Sequence, residues 1–453
     1  SLISMIQEPQ RISMQRPGLA IYYPARIQNT RRALCTYRFC RFVQFVFSRH
    51  MIRDGMGFTQ KAAVAETVST LEDSALAAAE AVRGVLNVIG EAPDLVTLFF
   101  TTHHRANARL ILDLIHRELK PKNIVGSSMS GVIGGGREIQ AGPGLALWAA
   151  RLPGTQVFPF HLELEAAKSR IFGWPDAPPS ASAVMIAEPF SFPLEPFFSS
   201  LRTQKQLPTV IGGIASGADR RGENVLVFDH AIASEGAVGF VLDGAFRIEP
   251  VVAQGCSPVG PRFTVTRCEG NLILELSGRP AYEELSEVLI AIGEEDRQKF
   301  MRAPHVGILP MANHSGEPGR DLLVRSVMGV DPEAGAIAVR DHLGLGMSVQ
   351  FQARDRIAAH SELASSLELA GSFCPKVLGA LQFSCTGRGL QLFQRADHDV
   401  ETIHQYWPGL PVSGGFVAGE IGPVCGLPYI HGLASCVGLL VENDSRAGTQ
   451  LGP

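Results

Sequence analysis

Short apolar and β-branched runs in this chain alternate with stretches whose apolar residues recur at helical spacing. A first run is followed by a helix, a second run, a glycine-rich step and a return run, and this order occurs three times. The pattern predicts first strands at 95–101, 183–187 and 377–383, helices at 106–119, 194–203 and 400–406, and return strands at 145–151, 225–228 with 237–242, and 433–440. We therefore expect an α/β (mixed) protein with mixed sheets flanked by helices and an internally repeated unit.

Each copy contains two glycines separated by four residues, directly after a β-branched run. The pairs are Gly126 and Gly131, Gly212 and Gly217, and Gly414 and Gly419. Each copy spans about 30 to 37 residues from its first strand to its first glycine, roughly one right-handed crossover unit. Three matches in the same context predict internal duplication. The glycines suit either turning and close packing of strands or the close approach of a ligand.

A segment of different character lies between the second and third copies. From 271 to 353 the chain shows alternating strands typical of an antiparallel sheet, interrupted by one helical stretch that ends near residue 300. We place a domain boundary near Gly270. The first domain is then expected at 56–270 with two copies, and the second at 271–442 with the third copy and the antiparallel segment.

The N-terminal 50 residues are rich in arginine, with Glu8 as their single acidic residue. This composition fits a cleaved organellar transit peptide or an upstream sequence wrongly joined to the gene, with Met51 or Met56 as the working start. We exclude residues 1–55 from the fold and expect a disordered tail at 443–453.

Composition narrows the class of protein. With 453 residues, 45% of them hydrophobic, the chain can bury a large core. A net charge of −4 and the lack of a lysine-rich block argue against nucleic-acid binding, and no apolar run reaches the ~18 residues of a membrane span. The eight cysteines form no C-x-x-C pair, so we expect no metal site, no cofactor and a reducing compartment. That compartment is the cytoplasm, or an organelle if a transit peptide precedes the domain.

Glycine steps after strands raise the possibility of nucleotide binding, which the sequence argues against. A P-loop places lysine after the second glycine, but Val132, Ala218 and Glu420 occupy that position. The run from Gly131 to Gly136 reads G-x-x-G-x-G, which is not the dinucleotide-binding fingerprint. The carboxylate of Glu420 would also repel a phosphate.

Two charged residues follow predicted strands of the third copy. Arg388 offers a planar donor fork suited to a carboxylate, and Glu420 is an acceptor suited to an ammonium group. One hypothesis is that they clamp the two charged ends of a zwitterionic ligand such as an amino acid. The alternative is a structural salt bridge between these two residues.

An enzymatic interpretation rests on Cys385, with His398 and His431 in the same segment, because a thiol beside an imidazole can be a nucleophile. The alternative is that Cys385 is a buried, small apolar side chain. His103, at the end of the first strand, could line a pocket. The segment from Asp397 to Asp399 is interpreted as the solvated N-terminal cap of the next helix.

The assembled motifs resemble the FIST family, whose members join an N-terminal and a C-terminal FIST domain. The likeness rests on GSSMSGVIGGGREIQAGPGLALWAARLPG in the first half and on GRPAYEEL, RSVMGVDPEAGAIAV, FSCTGRG, DHDVE, GGFVAGEIGP and HGLAS in the second. These motifs span roughly residues 94–440. No F-box pattern precedes the first domain, whereas some eukaryotic relatives carry one, and this puts a ubiquitin-ligase role in doubt.

The resemblance implies an intracellular, non-enzymatic sensory protein that binds a small polar ligand, with amino acids as the suggested class, and reports it to a partner protein. The alternative is an interaction scaffold that recruits proteins for degradation or signalling. Together with the residue chemistry, the ligand-binding set is expected to comprise Arg388, Glu420, Cys385, His431, Gly414, Gly419, Ser130, Gly131 and His103.

Overall fold

A computed structural model describes residues 61–165, 170–204, 207–309, 322–374 and 376–443. The expectations for residues 1–55 and for the tail beyond 443 lie outside these residues. No helix in the described part of the chain has the length and apolarity needed to cross a membrane.

The described helices are α1 (Ser74–Ile89), α2 (Ala108–Glu118), α3 (Leu194–Arg202), α4 (Ala281–Ala291), α5 (Glu294–Arg302), α6 (Arg356–Phe373), α7 (Leu390–Phe393) and α8 (His398–Tyr406), with a 3-10 helix at Thr102–Asn107. The first group of strands is β1 (Ala63–Ser69), β2 (Leu95–Thr101), β3 (Ile124–Met129), β4 (Val132–Gly134), β5 (Arg137–Ile139) and β6 (Leu145–Arg151). The second group is β7 (Thr155–Glu165), β8 (Arg170–Phe172), β9 (Ser182–Ala187), β10 (Thr209–Ile214), β11 (Leu226–Phe228), β12 (Ala231–Ala233) and β13 (Ala237–Gly244). The third group is β14 (Phe246–Ala253), β22 (Val377–Cys385), β23 (Val412–Val417), β24 (Glu420–Val424), β25 (Leu427–His431) and β26 (Ser435–Glu442). The remaining strands are β15 (Cys256–Glu269), β16 (Leu272–Leu276), β17 (Arg279–Pro280), β18 (Pro304–Leu309), β19 (Leu323–Asp331), β20 (Ala336–Val339) and β21 (Ser348–Arg354).

The first three groups of strands form three units with the same topology. We call them unit 1 (63–151), unit 2 (155–244) and unit 3 (246–253 with 356–442). Each unit has a parallel pair of strands joined by a helical crossover, a return strand antiparallel to the first of the pair, and a further strand on the outer side of that return strand. The predicted mixed α/β fold with a threefold internal repeat is confirmed.

The units are interlocked by exchange of hairpins. Between its second strand and its return strand, each unit extends a short hairpin that pairs with the second strand of another unit. The hairpin β4–β5 of unit 1 joins β23 of unit 3, β24–β25 of unit 3 joins β10 of unit 2, and β11–β12 of unit 2 joins β3 of unit 1. The three exchanges form a closed cycle, so that each sheet needs two units to be complete.

The three sheets share one central core. Phe99, Phe240 and Phe383, one from each unit, lie in it, and the rings of Phe99 and Phe383 meet edge to face at 6.1 Å. The opposite face of each sheet packs against the unit's own helices, which are α1 and α2 in unit 1, α3 in unit 2, and α6 and α8 in unit 3. Burial on both faces explains why the parallel strands read as continuous apolar runs.

The first glycine of each pair lies within a strand rather than in a turn, and the chain turns after the strand ends. At these positions a β-carbon would lie about 2 Å from the carbonyl oxygen of the neighbouring parallel strand, at 2.0 Å for Gly126, 1.8 Å for Gly212 and 1.8 Å for Gly414. The second glycines contact the unit that receives the hairpin, Gly131 against Phe416, Gly217 against Ser128 and Gly419 against Ile214. The repeated glycines therefore serve strand packing and unit assembly.

Unit 3 differs from the others by an insertion between β14 and α6. The inserted sheet (Cys256–Arg354) contains β15 to β21 in the order β15-β21-β18-β19-β20-β16-β17, and a further pairing of β15 with β16 closes it on itself. Helices α4 and α5 cover it, and it has its own hydrophobic core around Phe351 and Ile337. The antiparallel segment expected from the sequence is thus an insertion within the third unit.

Candidate functional site

The shared topology allows the three units to be compared position by position. In the parallel ladders, Gly126 lies opposite Leu98, Gly212 opposite Met185 and Gly414 opposite Gln382. Gln382 therefore corresponds to Leu98 and Met185. By the same registers, Ser384 corresponds to Phe100 and Ala187, and Ser435 corresponds to Leu145 and Ala237.

These three positions are apolar in two units and polar in the third. In units 1 and 2 they pack into the hydrophobic layers beneath the helices. In unit 3 they are Gln382, Ser384 and Ser435, all essentially inaccessible to solvent. Since the fold tolerates hydrophobic residues at equivalent positions, the polar side chains of unit 3 are not a requirement of the architecture. We call Gln382, Ser384, Ser435, Arg388 and Asp399 the unit-3 polar site.

Arg388 and Asp399 form a buried bidentate ion pair in this site. Arg388 Nε lies 2.8 Å from Asp399 Oδ2, and Arg388 Nη2 lies 3.0 Å from Asp399 Oδ1. The side chain of Arg388 is 0% exposed and that of Asp399 is 1% exposed. Ser384 Oγ donates to the same carboxylate at 3.1 Å, and His398 Nδ1 lies 2.9 Å from it. Burial would raise the pKa of Asp399, but the Arg388 charge and these hydrogen bonds outweigh it and hold that pKa well below its usual range.

Several polar atoms of this region have no hydrogen-bond partner within the described residues. They are Arg388 Nη1, both terminal atoms of the Gln382 amide, Ser435 Oγ and, next to the site, Glu420 Oε1. An unsatisfied buried polar atom costs about 1–3 kcal/mol. These donors and acceptors lie on β22, at the start of β24 and β26, and in the loop after β22, near the carboxyl ends of the parallel pair, where open α/β sheets bind ligands.

Glu420 and Cys385 lie beside the polar site. Glu420 Oε2 accepts a hydrogen bond from the backbone N–H of Ala434 at 2.8 Å, one residue before Ser435. Burial raises the pKa of Glu420 to about 8, although the Ala434 N–H and the Arg388 charge oppose the shift. Burial and the nearby Glu420 also raise the pKa of the Cys385 thiol to about 12. At neutral pH the thiol is therefore protonated, which disfavours its use as a nucleophile.

Comparison with known protein families decides what kind of protein this is. The model of the FIST N domain matches residues 94–279, and that of the FIST C domain matches residues 281–423. This chain belongs to the FIST family. FIST domains are in general sensory, signal-transduction domains. The unit-3 polar site lies on β22, β26 and the segment from Arg388 to Asp399, and therefore largely within the matched FIST C domain.

The FIST chain also resembles mycobacterial proteins over most of its length. An uncharacterized protein of Mycobacterium tuberculosis is 34% identical over 379 residues, which is 83% of this chain and 98% of the relative. An uncharacterized protein of Mycobacterium bovis is 33% identical over 380 residues, with the same coverage of both chains. The match therefore covers nearly the whole length of these relatives.

The structure corrects the predicted roles of the charged residues. Arg388 pairs with Asp399, so the predicted salt bridge between Arg388 and Glu420 is wrong. Asp399 is not part of a solvated cap, because its carboxylate is buried against the arginine, and Asp397 accepts a hydrogen bond from Glu138 N at 2.7 Å instead of capping the helix. The two predicted residues are nevertheless linked through backbone hydrogen bonds, since Ala434 donates to Glu420 and accepts from the N–H of Cys385, whose carbonyl in turn accepts from the N–H of Arg388.

The remaining predicted residues fall into different surroundings. His431 lies opposite Glu420 in the β24–β25 ladder, but its ring contacts Gln254 Oε1 and the carbonyl of Gly422, and burial lowers its pKa to about 4. Gly414 lies inside β23, and Gly419 immediately precedes Glu420. With His398 on Asp399 and His431 on Gly422, each imidazole has partners other than the Cys385 thiol.

Ser130, Gly131 and His103 belong to unit 1 and contact other groups. The backbone N–H of Ser130 donates to Ser216 Oγ at 2.9 Å, where units 1 and 2 meet. Gly131 lies against Phe416 in the hairpin exchange. His103 is an exposed residue of the 3-10 helix, with its Nδ1 3.4 Å from Thr101 Oγ1. These contacts give the three residues roles in unit 1 and at its boundaries.

Sequence inspection missed Gln382, Ser435 and Asp399. A signal for the first was present, since Gln382 interrupts the apolar run VLGALQFSC at a position where the two other copies have Leu98 and Met185. That signal requires the three copies to be aligned by strand register, which only the ladders provide. The pairing of Asp399 with Arg388 joins residues separated by a helix and a loop, and residue spacing does not predict it.

We expect the stability of the folded protein to depend on the charge of Glu420. Its pKa is about 8 in the folded state and near 4.5 when unfolded, so the folded state binds more protons between these values. Stability should therefore fall as pH rises from about 4.5 to 8. Glu420→Gln should remove up to about 1.4 kcal/mol per pH unit of that slope. Urea denaturation at pH 5, 6, 7 and 8 measures it, and an unchanged slope in the variant would contradict the assignment.

Proposed function

We propose that this FIST protein is a sensor that binds a small polar, amino-acid-like ligand in the unit-3 polar site and reports it to a partner protein. The observation that carries the proposal is the contrast between units. At three equivalent buried positions units 1 and 2 have hydrophobic residues, whereas unit 3 has Gln382, Ser384 and Ser435. Buried polarity that the fold does not need is typical of functional sites, where stability is given up for binding.

The unpartnered atoms suit a zwitterionic molecule. Arg388 Nη1 is an arginine donor that the Asp399 pair leaves free, and with the Gln382 amide N–H it can bind a carboxylate. The Gln382 amide oxygen can accept a hydrogen bond from an ammonium group, and the charge of that group would favour the ionised form of Glu420, whose Oε1 can then accept a second. Asp399 keeps the guanidinium in a fixed orientation, so little side-chain entropy remains to be lost on binding. In this proposal the protein binds and reports, and no residue is given a catalytic role.

A thermal-shift screen of the twenty amino acids at millimolar concentrations tests the proposal. A ligand that binds only the folded state stabilises it by about 2.7 kcal/mol at a concentration 100 times its Kd. We expect at least one amino acid to raise the melting temperature of the full chain. The same ligand should lose its effect on Gln382→Leu, and the matched substitution at the equivalent position of unit 2, Met185→Leu, should keep it. No shift with any amino acid would contradict the proposed ligand class.

In the absence of ligand, Gln382→Leu should make the protein more stable. The substitution gives unit 3 the residue that unit 1 has at this position, and it removes two unpartnered polar atoms. We expect the free energy of unfolding to rise by about 1–3 kcal/mol. Urea denaturation of Gln382→Leu and of Met185→Leu provides the comparison. A clear loss of stability in Gln382→Leu would mean that the amide is structural.

A further inference from the structure

One buried carboxyl joins unit 1 to the polar site of unit 3. Glu138 lies in β5, on the hairpin that unit 1 contributes to the sheet of unit 3. Its Oε1 accepts hydrogen bonds from the backbone N–H groups of Asp399 and Val400, at 2.9 and 3.1 Å, in the first turn of α8. Its own N–H donates to Asp397. The hairpin and the start of α8 are thus held by three hydrogen bonds.

Asp399 is held from two sides. Glu138 binds its backbone N–H, and Arg388 binds both oxygens of its carboxylate. The position of the α8 start therefore determines where the carboxylate lies and, through it, how the guanidinium is oriented. Because Arg388 Nη1 is one of the donors of the polar site that have no partner within the described residues, a shift of the hairpin would change the direction in which that donor points.

The other two exchanged hairpins have no carboxyl at this position. The hairpin residues that pair with the first glycine of the receiving unit are Ile133, Ile421 and Val227. Their partners on the second strand of each hairpin are Glu138, Ile430 and Ile232, respectively. The hairpin position is therefore isoleucine in units 2 and 3 and glutamate in unit 1. The hairpin with the carboxyl is the one that docks on the unit with the polar site.

We propose that Glu138 is a positioning residue for the unit-3 polar site: supplied by the exchanged hairpin of unit 1, it orients Arg388 through Asp399 and so couples ligand binding to the contact between units 1 and 3. The ligand-binding part of this inference rests on the proposed function. The physical consequence is that occupancy of the site and packing of the hairpin influence each other with the same coupling free energy. The hairpin is then a route by which the state of unit 3 is communicated to unit 1.

The charges around Glu138 make this coupling sensitive to pH. Glu138 lies beside Asp397 and Asp399, and the Asp399 carboxylate in turn contacts His398 and Arg388. Arg137 of its own strand is exposed, and His404 lies near the hairpin turn. Burial and the Asp399 charge raise the pKa of Glu138 to about 8. Above that pH an ionised Glu138 accepts stronger hydrogen bonds from the N–H groups of Asp399 and Val400 and at the same time repels the Asp399 carboxylate. The placement of Asp399, and with it that of Arg388, should therefore change as the pH passes 8.

Hydrogen exchange of the ligand-free full chain tests the positioning role. The Arg388 amide, which is bonded to the carbonyl of Cys385 at 2.8 Å, reports on the arginine loop. In Glu138→Ala we expect faster exchange at Asp399 and Val400 and also, by at least about tenfold, at Arg388. Glu138→Gln, whose amide oxygen can accept the same two hydrogen bonds, should exchange as the wild type does. The matched control is Glu66→Ala, which removes a hydrogen bond to Gly135 in the turn of the same hairpin and should leave Arg388 unchanged.

A second readout remains valid if Glu138→Ala does not fold. In the wild type, protection of the Arg388 amide, corrected for the intrinsic exchange rate, should change as pH passes 8 by clearly more than in Glu138→Gln, which keeps only the contribution of Glu420. The proposal would be overturned if the exchange rate of the Arg388 amide changed with neither the substitution nor the pH while the rates of Asp399 and Val400 did. Glu138 would then act only as a cap of α8. Because no ligand is used, this result is distinct from a failed amino-acid screen, which would reject the ligand and leave the positioning role standing.

Discussion

Asp399→Ala is expected to destabilise the protein by about 3–5 kcal/mol, the cost of leaving one member of a buried ion pair without its partner. The substitution removes the acceptor for Arg388, Ser384 and His398 at once. Arg388 is fully buried, so its charge would remain in the interior without the carboxylate that compensates it. Urea denaturation measures the loss.

A control separates the charge from the packing. In the double variant Arg388→Met and Asp399→Leu the pair is replaced by hydrophobic residues, and such replacements are often neutral or stabilising. We expect the double variant to be clearly more stable than Asp399→Ala and to have lost the ligand response. A loss below about 1 kcal/mol for Asp399→Ala would place the pair in a solvated environment, contrary to its observed burial.

Gly414→Ala should be the other strongly destabilising substitution, with a cost of about 3–5 kcal/mol from overpacking and backbone strain together. The new methyl group would lie 1.8 Å from the carbonyl oxygen of Gln382. Gly414 also has a φ of +156°, which residues other than glycine rarely adopt. The clash is with backbone, so the ladder between β22 and β23 must separate locally. The melting temperature of the full chain measures the effect.

The control for this prediction is Gly432→Ala in the same unit. A β-carbon there would meet no atom within 4 Å, and the φ of Gly432 is not positive. We expect its stability to lie within about 0.5 kcal/mol of the wild type, as for ordinary surface substitutions. If Gly414→Ala were tolerated equally well, the close approach of β22 and β23 would not be the reason for glycine at this position.

Much of the fold could be predicted from the sequence because its signals are local. Strand β2 was predicted at its observed bounds, and the three copies follow from apolar periodicity and repeated glycines. The hairpin exchange could not be predicted in this way. Strands β4 and β5 have three residues each, and nothing in so short a run specifies whether it pairs within its own unit or with another. Closure of the cycle is a property of the whole assembly.

The candidate site was predictable only in part, for a related reason. Arg388, Glu420 and Cys385 stand out because charged and reactive residues directly follow buried strands, and the structure brings them together. Gln382 and Asp399 required knowledge of which residues face each other across ladders and helices. Asp399 in particular reads as a helix cap in the sequence, since aspartate is common at helix starts, and only the fold turns its carboxylate toward Arg388.

The three units suggest how a stable scaffold can carry a costly site. Units 1 and 2 keep hydrophobic residues at the positions of Gln382, Ser384 and Ser435, and unit 3 alone of the three bears the inserted sheet. Arg354 of that sheet donates to the carbonyl of Gly387, next to Arg388. Interlocked hairpins and a shared core distribute stability over the whole molecule, so that one unit can hold unsatisfied polar groups.

Calorimetric titration with the amino acid that gives the largest thermal shift, performed on the wild type, Met185→Leu and Gln382→Leu, tests the central claim most directly. The account predicts saturable binding to the wild type and to Met185→Leu with similar affinity, and binding to Gln382→Leu that is about 10- to 100-fold weaker. Equal affinity in all three proteins, or no binding to the wild type at millimolar concentrations, would contradict it.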